Sequence, residues 1–120
     1  RVAEVTEHHA GDTISYGRIF TCERDMRLAV IPVGYADGLH RSLSGKFDVV
    51  INGRRARQVG RICMDMCMVD VSDMPVVRAG DIVTVFGDEP KATELADIAG
   101  TISYELLCAI SPRVPRVYIE

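Results

Sequence analysis

Three short segments of the chain combine residue types that could carry out acid–base or anion-binding chemistry. In the first, Tyr16 precedes Gly17, and a glycine at this point allows the backbone to bend and present the phenol. The second, Gly60–Asp65, places an arginine and a carboxylate in an apolar run, where an unpaired buried charge would cost several kcal/mol. In the third, Thr101–Glu105, the phenol of Tyr104 lies near a predicted helix start whose free N–H groups could bind a phosphate.

Each of these segments also has a purely structural interpretation. Tyr16 could be a half-buried strand tyrosine with its hydroxyl in water. The charges of Gly60–Asp65 could form ordinary surface ion pairs, which contribute roughly 0–1 kcal/mol each. Thr101 could simply cap a helix against which Tyr104 packs. Residue spacing alone leaves both interpretations open for all three segments.

The elements that must position these residues are mostly short strands. A length of 120 residues, with 48% hydrophobic and 26% charged residues, predicts one globular domain with its own core. Asn52-Gly53 between two β-prone runs predicts a tight hairpin, and the unbroken apolar run 28–33 predicts a strand buried on both faces. Strands are predicted at 1–5, 13–16, 28–33, 47–51, 54–59, 62–71 and 81–86.

Only the C-terminal part of the chain has helical signals. A helix is predicted over 94–99, capped by Thr93 and ended by Gly100, and a second helical turn over 102–109, capped by Thr101. The predicted fold class is therefore mainly β: a small β-barrel or sandwich of six or more short strands, with one or two short helices near the C-terminus.

Charge and cysteine usage narrow the classes of function. A net charge of −3 without clustered lysines argues against nucleic acid, and no apolar stretch approaches the ~20 residues of a membrane helix. The four cysteines form no C-x-x-C pair, so we expect reduced, buried thiols in a cytoplasmic protein. A metal site using Cys63, Cys67 and His40 has no support from spacing, and no metal is predicted.

Taken together, the motifs closely resemble alanine racemases. The match runs in order from about residue 2 to residue 118, and its most specific parts are the pair Gly34-Tyr35-Ala36-Asp37-Gly38 and Gly60-Arg61-Ile62-Cys63-Met64-Asp65. The other matching segments are Ser15-Tyr16-Gly17, Thr101-Ile102-Ser103-Tyr104-Glu105 and Arg113-Val114-Pro115-Arg116. Met66 departs from the glutamine that is more usual in this family, which should alter packing rather than chemistry.

The resemblance implies that residues 1–120 are the C-terminal β-domain of a pyridoxal-phosphate-dependent racemase. Members of the family also have an N-terminal α/β barrel, absent here, whose lysine binds pyridoxal 5′-phosphate covalently. They act as homodimers in which each β-domain reaches over the partner's barrel. The implied reaction interconverts L- and D-alanine for cell-wall precursor supply.

The resemblance also implies roles for individual residues. Tyr16 matches the catalytic tyrosine that removes the α-proton of L-alanine, and Met64 matches a residue whose backbone contacts the substrate carboxylate. Tyr104 matches a tyrosine beside the cofactor phosphate. The residues that match positions lining or supporting the mouth of the substrate channel are Tyr35, Arg41, Arg61 and Asp65.

The chain's own lysines are poor candidates for cofactor attachment. Of 14 basic residues only Lys46 and Lys91 are lysines, and both lie in polar turn sequences, whereas a Schiff-base lysine usually lies desolvated in a pocket. We therefore expect the isolated chain to be inactive. We also expect it to expose an unusually apolar docking surface and to self-associate.

Two other interpretations remain open at this stage. A racemase-like domain could serve serine instead of alanine, because barrel residues outside this chain would read part of the substrate side chain. Alternatively, the run Ala79–Gly87 would also suit a non-catalytic small β-barrel that binds other macromolecules.

Overall fold

The computed structural model describes residues 1–14, 20–112 and 114–115. Its regular elements are eight strands and two helices: β1 (Glu4–His8), β2 (Thr13–Ile14), β3 (Phe20–Thr21), β4 (Met26–Ile31), β5 (Asp48–Ile51), β6 (Arg54–Val59), β7 (Cys67–Asp70), β8 (Val83–Thr84), α1 (Ala92–Ala99) and α2 (Ser103–Cys108).

Six of the strands form one antiparallel sheet, in the order β1-β4-β7-β6-β5-β8, and β2 pairs with β3 separately. The predicted mainly-β class, with two short helices near the C-terminus, is confirmed. Over residues 1–14, 20–112 and 114–115, the sheet is not closed into a barrel. Its two edges nevertheless approach each other, because the Val2 N–H donates to the Asp81 carbonyl at 2.8 Å and the Gly80 N–H donates to the Val2 carbonyl at 2.8 Å.

The strand β4 is buried on both faces, as its apolar run predicts. Ala29 and Ile31 belong to the main core, whereas Leu28 and Met26 belong to a smaller cluster on the other face of the sheet. Leu106 of α2 is buried in the main core, so the second helix is anchored to the sheet by this side chain. The helices therefore add a layer that buries one face of the sheet.

The hairpin between β5 and β6 has the predicted Asn-Gly turn. Asn52 and Gly53 have φ values of 52° and 76°, which is the left-handed backbone of a type I′ turn. The Asn52 amide donates to the Val76 carbonyl at 3.3 Å and to the Asp81 carboxylate at 3.1 Å. The turn is thus hydrogen-bonded to segment 76–81, which also forms hydrogen bonds with Val2.

The predicted strand over 62–71 is wrong in its first half, because β7 begins only at Cys67. Residues 60–66 form a loop in which the Cys63 N–H donates to the Met66 carbonyl at 2.9 Å. The carbonyls of Cys63 and Met64 accept hydrogen bonds from residues 35 and 36 instead of from a neighbouring strand. Regular alternation of side chains therefore does not extend through this motif.

The predicted helix caps are also wrong, since the residues at the cap positions are Lys91 for α1 and Ile102 for α2. Gly100, with φ 74°, ends α1 as predicted, and the Thr101 N–H donates to the Ala96 carbonyl at 2.9 Å. Thr101 is therefore held in the closing turn of α1, which keeps it from opening α2.

The four cysteines are free, but the expectation that they are all buried is only partly correct. Cys22 and Cys67 are buried, Cys63 is half-buried and Cys108 is exposed on α2. In the part of the chain that the structure describes, no group of three His, Cys, Asp or Glu residues could hold a metal ion, which gives the metal alternative no support. The same residues contain no helix long and apolar enough to span a membrane.

Candidate active-site wall

A short 3₁₀ turn, Tyr35–Asp37, lies at the centre of the candidate site. The Asp37 carboxylate accepts a hydrogen bond from the Gly34 N–H at 3.0 Å, which closes the turn on itself. Gly38 follows with φ 106°, a left-handed value that favours glycine. The turn holds Tyr35 with 45% of its surface exposed.

This turn lies directly against the loop that follows β6. The Tyr35 N–H donates to the Cys63 carbonyl at 3.0 Å, and the Ala36 N–H donates to the Met64 carbonyl at 2.9 Å. Gly34 makes this approach possible, because a Cβ at this position would lie 2.2 Å from the Cys63 carbonyl oxygen. The two sequence motifs are therefore bonded backbone to backbone.

An open pocket of about 420 Å³ lies where the turn and the loop meet. It brings together the five residues that the sequence predicts to contact substrate or line the channel mouth. Ile62 and Cys63 complete the lining, and sequence reasoning did not assign either as a site residue although both lie inside the recognised motif. The lining residues are Tyr35, Arg41, Arg61, Ile62, Cys63, Met64 and Asp65.

The charged groups of this pocket have no protein partners among the described residues. Neither the guanidinium of Arg41 nor that of Arg61 lies within ion-pair distance of a carboxylate there, and the Asp65 carboxylate has no cation within that distance. Two cations and one anion therefore face a shared space without neutralising one another. Such a set suits a zwitterion, which carries both a carboxylate and an ammonium group.

Tyr104 lies on α2, outside the lining of this pocket, and 75% of its surface is exposed. The same central turn supports its helix. A Cβ at Gly38 would lie 2.4 Å from the Ala109 carbonyl oxygen, and the Ser111 N–H donates to the Asp37 carbonyl at 3.2 Å. One turn thus carries Tyr35 and braces the end of the helix that carries Tyr104.

The predicted catalytic residue, Tyr16, lies outside the described residues. It falls in the five-residue stretch between β2 and β3, and the structure describes the pairing of Ile14 with Phe20 on either side.

A covalently held cofactor does not fit the described lysines. Lys46 is exposed in the turn before β5, and Lys91 is exposed at the start of α1. Neither lines the pocket, whereas a Schiff-base lysine needs a desolvated site. Neither lysine is therefore a suitable attachment point for such a cofactor.

Residues 1–118 match the family model described as the alanine racemase C-terminal domain. The chain belongs to this family. The alanine racemase 1 of Clostridium acetobutylicum is 52% identical over 123 residues, which cover 99% of this chain and 32% of that protein. The chain therefore spans about a third of the length of the curated relatives that it matches.

Solved structures give the same assignment for the fold. The chain superimposes on the biosynthetic alanine racemase of Pseudomonas aeruginosa with a TM-score of 0.94 at 39% identity, over 99% of this chain and 33% of that one. The Bartonella henselae alanine racemase with covalently bound pyridoxal phosphate gives a TM-score of 0.95 at 34% identity, over 98% of this chain and 33% of that one.

Proposed function

We propose that this chain is the C-terminal domain of a pyridoxal-phosphate-dependent racemase that interconverts L- and D-alanine. Residues 1–120 form one domain of the active protein, and an N-terminal barrel outside this chain holds the cofactor through a lysine. Two subunits form a homodimer in which each β-domain covers the partner's barrel. The product D-alanine serves cell-wall precursor supply in the cytoplasm.

The observation that carries this proposal is the pocket built from both recognised motifs. Its charged groups, Arg41, Arg61 and Asp65, form no ion pair with the other described residues and complement the carboxylate and ammonium groups of a free amino acid. The names of the curated relatives support alanine as the substrate. The exposure of both lysines supports a cofactor lysine in a second domain. A small, generic macromolecule-binding barrel would not require this placement of charges.

In the proposed reaction, each residue of this chain has one physical task. The phenol oxygen of Tyr16 removes the α-proton of L-alanine and holds it as a neutral phenol. Because a free phenol has a pKa near 10, nearby positive charge must favour its ionised form for this step near neutral pH. The Met64 backbone contacts the substrate carboxylate, and Tyr104 would lie beside the cofactor phosphate and help to hold it.

Tyr35, Arg41, Arg61 and Asp65 line the route by which the amino acid enters. The two arginines attract the substrate carboxylate, while Asp65 favours the zwitterion over a simple anion. When bound, pyridoxal phosphate supplies the electron sink that makes the α-proton removable.

The test is Tyr16→Phe in the full-length protein, with α-proton exchange followed separately from L-alanine and from D-alanine. Loss of exchange mainly from the L enantiomer supports Tyr16 as the base on that face. Unchanged exchange from both enantiomers would remove the assignment. Tyr35→Phe is the comparison variant, because it also removes a phenol hydroxyl but from the pocket wall, and any change should affect exchange from both enantiomers equally. L-Serine in place of L-alanine tests the alternative substrate.

A second test uses the 120-residue chain alone with added pyridoxal phosphate. Neither Lys46 nor Lys91 lies in an enclosed pocket, so we expect no racemisation of alanine. Robust formation of D-alanine by the isolated chain would contradict the division of the active site between two domains.

A further inference from the structure

The two pocket arginines come from separate segments of the chain. Arg41 opens a 3₁₀ turn, Arg41–Leu43, ahead of β5, and Arg61 lies in the loop after β6. Both side chains are exposed and reach the same pocket. The separation of their guanidinium groups therefore depends on how these two backbones are held relative to each other.

The hydroxyl of Ser44 joins the two segments directly. Its Oγ donates to the Arg41 carbonyl at 2.6 Å and accepts a hydrogen bond from the Ile62 N–H at 2.9 Å. One hydroxyl thus bonds to the backbone of the first arginine and to the residue that follows the second arginine.

The buried side-chain amide of Gln58 also joins the same two segments. Gln58 is fully buried, with 0% exposure, and is the one fully buried polar side chain in the part of the chain described by the structure. Its Oε1 accepts from the Gly45 N–H at 2.5 Å, and its Nε2 donates to the carbonyls of Val59 at 2.8 Å and Gly60 at 3.2 Å. Its three hydrogen bonds therefore hold backbone groups at the end of β6 and in the two adjoining loops rather than a ligand.

We infer that Ser44 and Gln58 are positioning residues that fix the spacing of Arg41 and Arg61, and through it the affinity of the pocket for a carboxylate. Neither residue lines the pocket, so each acts through the backbones it joins. A pair of cations held at a set distance binds a carboxylate with less ordering cost than two independent side chains. The use of this pair for alanine rests on the proposed function.

The first measurement uses Ser44→Ala in the full-length protein. Loss of one such hydrogen bond weakens binding by about 2- to 13-fold, which we expect as an increase in KM for L-alanine with kcat changed less than about twofold. Ser44→Thr keeps the hydroxyl and should restore KM. Ser72→Ala is the control, because the Ser72 hydroxyl bonds to Asp70 at 2.5 Å and does not line the pocket.

A second measurement does not depend on activity. Cys63 lines the same pocket, so its alkylation rate reports on the local field. In the full-length protein with Cys108 replaced by serine, Cys63 labelling is followed by peptide mass spectrometry with an anionic and a neutral maleimide at low salt. The ratio of the two rates corrects for simple exposure, because the arginine pair attracts only the anionic reagent.

We expect the ratio of anionic to neutral labelling to fall severalfold in Ser44→Ala and in Gln58→Met, and to stay at the wild-type value in Ser72→Ala. An unchanged ratio in Ser44→Ala, or an equal fall in Ser72→Ala, overturns the inference. Ser44→Ala decides the matter if Gln58→Met does not fold. If the ratio falls as expected but the wild-type protein does not racemise alanine, the proposed function fails and the positioning role stands.

Discussion

Replacing Gly34 by alanine should destabilise this fold far more than the addition of one methyl group suggests. The new Cβ would lie 2.2 Å from the Cys63 carbonyl oxygen and 2.5 Å from the Met64 carbonyl group, whereas such contacts essentially never fall below 3.0 Å. The obstructing atoms are backbone, so no side chain can rotate away. The turn over Tyr35–Asp37 must therefore move off the loop after β6.

The size of the effect follows from the contacts that this movement breaks. The Tyr35 N–H bond to Cys63 and the Ala36 N–H bond to Met64, at 3.0 and 2.9 Å, each contribute about 1 kcal/mol. Overpacking adds about 1–3 kcal/mol. We therefore expect Gly34→Ala to lower the free energy of unfolding by about 3–5 kcal/mol. For a slope of about 2 kcal/mol per molar urea, the midpoint falls by about 1.5–2.5 M.

The matched control is Gly87→Ala, because a Cβ at Gly87 would meet only the Thr84 methyl group at 3.5 Å, an ordinary contact. Its free energy of unfolding should change by no more than about 0.5 kcal/mol, which is typical of surface substitutions. Urea unfolding of the two variants and the parent chain, followed by circular dichroism, gives the comparison. Equal midpoints for Gly34→Ala and Gly87→Ala would refute the close-contact argument.

Three further predictions concern packing and titration. Leu106→Ala, in the core, should cost about 2–5 kcal/mol, whereas its exposed neighbour Leu107→Ala should cost about 0.5 kcal/mol or less; thermal unfolding distinguishes them. Burial raises the pKa of the Cys67 thiol to about 12, so stability should fall as pH rises from about 9 toward 12, and Cys67→Ala should flatten that fall in urea titrations. The hydrogen bond from Arg55 lowers the pKa of Glu94, so the contribution of Glu94 to stability is present above about pH 4.5 and is lost on acidification. Glu94→Gln should therefore reduce the loss of unfolding free energy as the pH falls below about 4.5, and an unchanged loss would contradict this.

The sequence predicts best those features whose causes are local. The Asn52-Gly53 turn follows from the backbone preferences of two adjacent residues, and the burial of β4 follows from its own apolar run. Gly100 ends α1 because a left-handed residue is needed at that one position. These features require no knowledge of distant parts of the chain.

Features that depend on distant partners are predicted less well. The predicted strand over 62–71 wrongly includes residues 62–66, because the carbonyls of Cys63 and Met64 accept hydrogen bonds from a turn that is distant in sequence. Thr101 is predicted to cap α2, but its N–H donates to the Ala96 carbonyl in the closing turn of α1. The pocket residues were found through the resemblance of two motifs rather than through spacing, and Ser44 and Gln58 were missed because their partners are backbone groups.

The order of strands in the sheet has a consequence for how the chain folds. β7 lies between β4 and β6, although both of those strands precede it in the sequence. Before residues 67–70 are available, the described part of the six-stranded sheet consists of only two separate units, β1 with β4 and β5 with β6, in addition to the small separate β2–β3 pair. Each unit then presents an unpaired strand edge that can recruit other chains. The two units are joined only when β7 is added between them, so synthesis that stalls before Cys67 should favour aggregation, and folding should be slow for a domain of this size.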